Sequence, residues 1–435
     1  MKWSRYNLLF KSEKFGHLLY NSLSNTFAEV DAETARALEQ IRADPEGYDF
    51  RRNPALLLQL RQAKVLVDDG EEEALLDVIR LKKLLDTYDT LSLYLTIAPT
   101  LACNFRCTYC FERSRRPIHM DEETQSAVVD FIRRFGRLQT LHLGWFGGEP
   151  LLRFDTMCRL TGMIRELGIP FSASLVTNGY LLEDPVIDQL GACKIELIQV
   201  TIDGPEEVHN RRRIHATGAG TYSTIVGNLE RLVQKWHGRL SIRVNVDKSN
   251  MAAYGEIHRR LSRKFEGRNV GIHHGIVEDS PAENPDLPCE FSREDEADFC
   301  IDLYRACGVT ARSFYPKPYG GCVATIRNGV VVGPKGELYN CWHDVGDENM
   351  VIGTIFDDKS WDMSLLAKYT VGINMYDDPR CRDCFCLPVC DGGCPHFRLR
   401  RKYRGENRNT CMTFKDRLPE ALEIHYEIKQ KQAKA

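Results

Sequence analysis

Short apolar and aromatic runs between polar positions mark strands near the start of the chain. Tyr6-Asn7-Leu8-Leu9-Phe10 and His17-Leu18-Leu19-Tyr20 read as two strands around a Lys/Gly turn, and Phe27 to Asp31 as a short third. Helical spacing takes over at Ala32–Ile41, where Leu38 and Ile41 lie three apart and Asp31 is placed to cap the first turn. A second helix is expected near Pro54–Gln62, followed by a strand at Val65–Val67. This β-β-α-α-β order predicts a winged-helix-like domain over residues 1–70. Residues 71–90 read as a linker helix, with Leu75, Val78, Ile79, Leu81 and Leu85 on one broad face.

From about residue 91 the pattern changes. Strands are expected at Ser92–Ala98, Leu141–Phe146, Phe171–Thr177, Ile195–Ile202, Leu240–Val246 and Asn269–Val277. Helical segments separate them, beginning near Asp121, Met157, Pro185, Thr221 and Met251. Six βα repeats argue for a parallel sheet. The predicted fold class over residues 91–280 is α/β, a partial (β/α)6 TIM-like barrel rather than a closed barrel of eight. Residues 281–320 read as a bridging region with one helix at Arg293–Ala306. Residues 321–435 read as a loop-rich domain with Gly and Cys at short intervals, of the kind a cysteine-ligated metal holds together.

Composition narrows the chemistry. A net charge of −3 gives no bulk attraction to nucleic acid or an anionic membrane. No apolar run approaches the roughly 20 residues of a membrane span, and Met1–Gly16 lacks an apolar signal-peptide core. A cytoplasmic location is expected, with neither nucleic acid nor membrane as partner. Cysteine is the unusual residue: of 16, none lies in the first 102 positions, three lie within 103–110 and six within 381–411. Such grouping in a large chain without an export signal points to metal rather than to a disulfide framework.

Cys103, Cys107 and Cys110 stand at C-x3-C-x2-C spacing directly after the first strand of the βα series, with Tyr109 before the last thiol. Reactive groups of such folds gather at the C-terminal ends of the strands. Three thiolates can hold three irons of a [4Fe–4S] cube and leave the fourth open. Zinc with a fourth ligand from elsewhere is the alternative reading.

The motif resembles that of the radical S-adenosylmethionine (SAM) superfamily. Gly147-Gly148-Glu149-Pro150, after the second strand, is similar to the family's SAM-contacting turn, where bare glycine backbone admits a ligand and Glu149 offers acceptors to the methionine ammonium. Thr177-Asn178-Gly179 ends the third strand. Thr201-Ile202-Asp203-Gly204-Pro205, then His209 and Arg213, resembles a segment of peptide-modifying members. The resemblance implies SAM contacts from Gly147, Gly148, Glu149, Asn178, Thr201 and Arg213. Arg243 and Asn245, on one face of the fifth strand, are expected either to reach SAM or substrate or to make buried structural hydrogen bonds.

The later cysteines resemble a SPASM domain, which binds two auxiliary [4Fe–4S] clusters in peptide maturases. By that resemblance Cys381, Cys384, Cys390 and Cys411 ligate one cluster, and Cys322, Cys341 and Cys394 the other. No cysteine lies between Cys322 and Cys341, so a fourth ligand for the second cluster would come from Cys289, Cys300 or Cys307; an open iron is the favoured expectation. Cys386 is assigned no ligand role, and Cys158 and Cys193 are expected to be ordinary buried residues. A zinc ribbon is the alternative here, although spacings of x2, x5, x3 and x16 fit it poorly. The basic run Arg398, Arg400, Arg401, Lys402 and Arg404 is expected to be a solvated face or counter-charge for anionic clusters, rather than a dock for an acidic peptide.

The resemblance implies SAM and three [4Fe–4S] clusters as cofactors, one SAM-binding and two auxiliary. It implies reductive SAM cleavage, a 5′-deoxyadenosyl radical and hydrogen abstraction from a peptide. The unit before the first cysteine resembles the leader-recognition domain of enzymes that mature ribosomally made peptides. The expected partners are a precursor peptide with a leader segment and an external electron donor of the flavodoxin or ferredoxin type. The alternatives are a sulfatase-maturase-like residue oxidase forming formylglycine, and a non-catalytic iron–sulfur electron carrier or scaffold.

Overall fold

Neighbouring positions of the first strands serve two different cores. The computed structural model describes residues 1–112, 116–277, 291–310, 312–317, 321–357 and 361–434. Two units emerge: residues 1–87, 313–321 and 373–435 form the first, and residues 88–312 and 322–372 the second.

The chain opens with β1 (Lys2–Trp3), β2 (Asn7–Ser12), β3 (Gly16–Asn21), β4 (Thr26–Val30), α1 (Ala32–Ala43), α2 (Pro54–Gln62), β5 (Leu66–Val67) and α3 (Glu71–Thr87). Strands β2, β3 and β4 form an antiparallel sheet in that order, and β1 pairs with β5. Asp31 caps α1 as expected, its carboxylate accepting the Thr34 N–H at 2.7 Å. Leu9, Leu19 and Val30 pack with Leu38 and Ile41 of α1 and Leu56 and Leu60 of α2. Leu8, Phe10, Tyr20 and Phe27 face the other way, onto Tyr315, Phe385, Cys386, Leu418 and Leu422. The small N-terminal sheet and the C-terminal cysteine segment therefore share a core within this unit.

Helix α3 forms as expected, and its apolar face is largely exposed. Val78, Leu81 and Leu85 are 46%, 55% and 64% exposed, and its buried residue is Glu72. Glu72 accepts from the Ser4 hydroxyl at 2.7 Å and the Arg5 N–H at 2.9 Å. A run of strong helix formers explains the helix, and one buried carboxylate ties down its first turn.

The second unit carries β6 (Ser92–Ile97), α4 (Glu122–Arg133), β7 (Thr140–Trp145), α5 (Phe154–Arg165), β8 (Phe171–Thr177), α6 (Asp184–Ile187), β9 (Ile195–Thr201), α7 (Glu206–Arg212), α8 (Tyr222–Lys235), β10 (Arg239–Val246), α9 (Tyr254–Lys264), β11 (Val270–Ile276) and α10 (Arg293–Cys307). Strands β6 to β11 are parallel and lie in chain order, which is the expected partial-barrel series. The sheet continues where loops were expected. β12 (Gly329–Val332) adds parallel to β6, and β13 (Glu337–Tyr339) and β14 (Gly353–Thr354) follow antiparallel; α11 (Met363–Ala367) comes next. The run Val330-Val331-Val332 is buried throughout, so it carries no alternation to betray a strand. The first unit resumes with α12 (Pro379–Arg382), α13 (Pro395–Arg404) and α14 (Leu418–Lys434). Among the described residues, no helix is long and apolar enough to cross a membrane.

Four cysteines outside the main groups have defined surroundings; one of them, Cys307, donates to Leu303 O within α10 at 3.0 Å. Cys193 is buried, while Cys158 is partly exposed; their sulfurs lie 3.0 Å apart, so neither is isolated in a core. Cys300 is buried on α10, 3.8 Å from His274 Nε2. Cys289 lies outside the described residues.

His274 of β11 and Glu296 of α10, both fully buried, form a 2.9 Å contact, and Arg293 and Arg312 add bonds to Glu296 of 2.8 and 2.9 Å. Burial pushes the Glu296 carboxyl up, but the His274 hydrogen bond and the two arginines outweigh it and hold it well below the usual range. Glu296→Ala removes the acceptor these groups share and is expected to cost about 1–3 kcal/mol at pH 7 in urea unfolding. A depressed folded pKa gives stability that is present above the unfolded value and lost as pH falls. The gap between wild type and variant should therefore narrow below about pH 4. A gap independent of pH would contradict the assignment.

Candidate metal centres

The loop carrying Cys103, Cys107 and Cys110 leaves the C-terminal end of β6 and is gripped by backbone on two sides. The Gly148 N–H donates to Thr100 O at 3.1 Å and the Glu149 N–H to Ala102 O at 2.8 Å. On the other side, Arg106 N–H donates to Ile214 O, Thr108 N–H to Arg212 O and Ala216 N–H to Asn104 O, at 2.7, 3.0 and 2.8 Å. The glycines have a reason that the sequence does not reveal. A Cβ on Gly148 would stand 2.2 Å from Ala102 O, and one on Gly147, at φ +123°, 2.5 Å from Thr100 O. The close approach they permit is to the cysteine loop itself.

Glu149 is fully buried. Its Oε1 accepts from the Thr177 hydroxyl at 2.7 Å and the Leu151 N–H at 3.1 Å, and its Oε2 from the Asn178 N–H at 2.8 Å. Burial pushes its carboxyl up, and these bonds oppose the shift. They take three of about four acceptor positions, leaving little for an incoming ammonium. Asn178 in turn donates to Asn104 Oδ1 at 2.7 Å, tying the end of β8 to the cysteine loop.

The three thiols are electrostatic neighbours. Burial pushes the Cys103 thiol up to about 12, and Glu149, Cys107 and Cys110 add to it. A thiol so placed ionises readily only on a metal. Beneath them lies a buried cationic layer. Arg212 pairs with Asp247 at 2.7 Å and Asp203 at 3.3 Å, its guanidinium 4.9 Å from the centre of the Tyr109 ring. Arg213 donates to the Tyr109 hydroxyl at 2.8 Å, and Asn245 does so at 3.1 Å. Arg213 Nε is buried without a partner among the described residues, and Cys107 is the first group whose charge favours this guanidinium. An orphaned N–H beside a thiolate position fits an anionic group held by these thiols.

His209 orders this layer. Its Nε2 contacts the Thr221 hydroxyl at 3.0 Å, and that hydroxyl donates to Arg213 O at 2.7 Å. The hydroxyl proton is thus used, so His209 carries its proton on Nε2 and accepts the Asp203 N–H on Nδ1 at 3.3 Å. Burial, then Arg213 and Arg212, hold its pKa well below the ordinary value and keep it neutral. Thr201, the last residue of β9, pairs in register with Arg243 of β10. Arg243 donates to Asn245 Oδ1 at 2.7 Å, and both side chains are only partly buried.

Gly147, Gly148, Glu149, Asn178 and Thr201 lie at the C-terminal ends of β7, β8 and β9 or directly beyond them, and Arg213 follows α7. Sequence reasoning missed Asn104, Arg212 and Asp247. The acid pair Asp203 and Asp247, each just past a strand end, was the available signal. It also missed an aromatic cluster: Phe111, directly after Cys110, stacks on His343 at 4.2 Å and faces Phe146 at 6.3 Å, and Trp342 lies 5.2 Å from Phe146. Phe146 precedes Gly147, and Trp342 follows Cys341.

In the first unit Cys381, Cys384, Cys390 and Cys411 converge. Cys381 and Cys384 both act on Cys390 and on Cys411, and burial pushes the latter two up. Donors point at the sulfurs: Gly392 N–H to Cys390 at 3.2 Å, Arg398 Nη1 to Cys381 at 3.6 Å and Lys415 Nζ to Cys411 at 3.9 Å. Four thiols with donors aimed at them fit a cysteine-ligated cluster. Cys386 instead sits in the apolar core with Tyr20 and Leu422, and its thiol bonds Cys384. The basic run is largely engaged. Arg398 is buried, Arg400 pairs with Glu406 at 2.7 Å and Arg401 with Asp378 at 2.5 Å. Cys322 and Cys341 belong to the second unit and Cys394 to the first.

Residues 97–261 match the Radical SAM superfamily. The serine-type anaerobic sulfatase-maturating enzyme of Klebsiella aerogenes is 23% identical over 329 residues, 68% of this chain and 77% of that one. The GTP 3′,8-cyclase of Actinobacillus succinogenes is 29% identical over 167 residues, and the match spans 47% of its length. Among solved structures, native anSMEcpe with bound AdoMet superposes with a TM-score of 0.61 at 19% identity, covering 78% of this chain and 98% of that one. Streptococcus suis SuiB bound to S-adenosylmethionine gives 0.53 at 16% identity and covers 95% of this chain and 98% of that one.

Gly148→Ala is expected to displace the cysteine loop and lower stability by about 1–3 kcal/mol or more, read by thermal unfolding. Gly162 of α5 has open space around the position of a Cβ, so Gly162→Ala should instead gain roughly 0.5–1 kcal/mol. Equal effects from the two substitutions would refute the clamp.

Proposed function

We propose, from the premise that this chain carries a radical SAM domain, that it is a peptide-modifying enzyme that installs a crosslink or other side-chain change in a ribosomally made precursor peptide. The observation that carries this reading is the convergence of three thiols on one loop above a buried arginine with an unused N–H. Cys103, Cys107 and Cys110 would hold the SAM-binding [4Fe–4S] cluster, and Cys381, Cys384, Cys390 and Cys411 an auxiliary one. The remaining set, Cys322, Cys341 and Cys394, rests on the resemblance to a SPASM domain. When bound, SAM and its cluster supply a reductive cleavage that yields a hydrogen-abstracting 5′-deoxyadenosyl radical.

The chain's own residues have simpler tasks. The Gly147–Glu149 turn and the 212–216 segment fix the thiols in place. Arg213 offers positive charge to the anionic group beside Cys107. Asn178 and Thr201 lie within the same strand-end cluster and are assigned to SAM. Phe111 and Trp342, 38% and 44% exposed, present ring faces for a substrate side chain.

The N-terminal sheet is assigned to the leader. Strand β4 ends the β2-β3-β4 sheet and pairs on one side with β3, so its other side is an edge on which an extended peptide can add a strand. Supporting this, the likeness to SuiB extends over 95% of the chain, and one SuiB structure is bound to precursor peptide SuiA. An electron donor of the flavodoxin or ferredoxin type and a cytoplasmic location complete the proposal. A second reading, oxidation of a protein residue, is favoured by the sulfatase-maturating relatives. Co-expression with candidate precursor peptides, scored by mass spectrometry, separates the two.

Anaerobic incubation with reductant and SAM should yield 5′-deoxyadenosine from the wild type. It should yield none above background from the Cys103→Ala, Cys107→Ala, Cys110→Ala triple variant. Cys384→Ala should retain part of the SAM cleavage and form no modified peptide. Full turnover by the triple variant would end this reading.

A further inference from the structure

We propose that Arg398 and Lys415 set the reduction potential of the cluster assigned to Cys381, Cys384, Cys390 and Cys411, holding it higher than the thiolates alone would. The inference rests on the ligand assignment made above and adds what surrounds the ligands.

The charges around these sulfurs are unbalanced. Arg398 is buried, and its guanidinium is fixed by Ile373 O at 2.9 Å, Gly392 O at 3.1 Å and Asp378 at 3.2 Å, with Nη1 directed at Cys381 Sγ. Lys415, partly exposed, reaches Cys411 Sγ at 3.9 Å, and Cys411 is the main group raising its pKa. Lys83 of α3, in the same unit, bonds Asp391 O at 3.3 Å and feels Cys390. Arg401 and Arg380 share Asp378 with Arg398. Against these five cations stand Asp378, Asp391 and Asp416. A [4Fe–4S] cluster on four thiolates is a dianion that becomes a trianion on reduction. Surplus positive charge and N–H donors on sulfur stabilise the reduced form more and raise the potential. Glycine at position 392 is part of the device. At φ +82° its N–H donates to Cys390, and a Cβ there would stand 3.3 Å from Arg398 Nη1.

Potentiometric EPR titration of the anaerobically purified full chain tests this, with iron counted in each sample. Lys415→Met should lower the midpoint of one cluster, giving about a tenfold lower reduced-to-oxidised ratio at the wild-type midpoint, while Lys415→Arg stays near wild type. Arg398→Gln should shift the same signal the same way. Unchanged midpoints at full iron content would overturn the proposal. If Arg398→Gln loses iron, the Lys415 pair decides alone, because the Lys415 ammonium makes no other hydrogen bond among the described residues. A failure of the underlying ligand assignment looks different: Cys384→Ala would then leave both iron content and the EPR signals intact.

Discussion

Two short stretches of backbone lie closer together here than any side chain would allow. The turn at Gly147–Gly148 presses on Thr100–Ala102, and its N–H groups are spent on carbonyls of the cysteine loop. This contact determines where the three thiols sit relative to the ends of β6 and β7. Glu149 extends it to β8 by accepting from Thr177 and the Asn178 N–H. Asn178 then closes the circuit onto Asn104, within the cysteine loop. The loop is thus held by the strands beside it.

Below the loop, two adjacent arginines do different work. Arg212 is neutralised by Asp203 and Asp247 and serves as a strut between the ends of β9 and β10. Arg213 keeps an N–H without a partner among the described residues, next to Cys107, and is the cation available to an anionic ligand. Neutral His209 links the two, since its ring accepts from Asp203 N–H and donates to Thr221, which binds Arg213 O. Burial makes this division possible: a buried charge must be paired or must face a charge to come.

Much of this was legible in the sequence, and the remainder has identifiable causes. The six parallel strands announced themselves through their alternation with helices, and the cap at Asp31 through its residue type. Strand β12 was hidden because burial on both faces removes alternation. The apolar stripe of α3 was legible but its exposure was not, since helical spacing alone does not say which face is covered; the helix is held by Glu72. The glycine pair was legible as a motif, but its contact with the cysteine loop was not, because close backbone approach looks the same in sequence whether the neighbour is ligand or loop. Asn104 and Asp247 were missed because a polar residue after a strand is unremarkable until its partners, distant in sequence, are known. The contact between Cys158 and Cys193 was invisible for the same reason.

The central claim is that Cys103, Cys107 and Cys110 hold a cluster with one iron left open for SAM. It is tested most directly by EPR of the dithionite-reduced protein in which Cys384 and Cys341 are replaced, so that this cluster dominates the signal. Adding SAM should change the g-values and line shape of that spectrum. A signal indifferent to SAM, or a protein that purifies with zinc and no iron, would contradict the account.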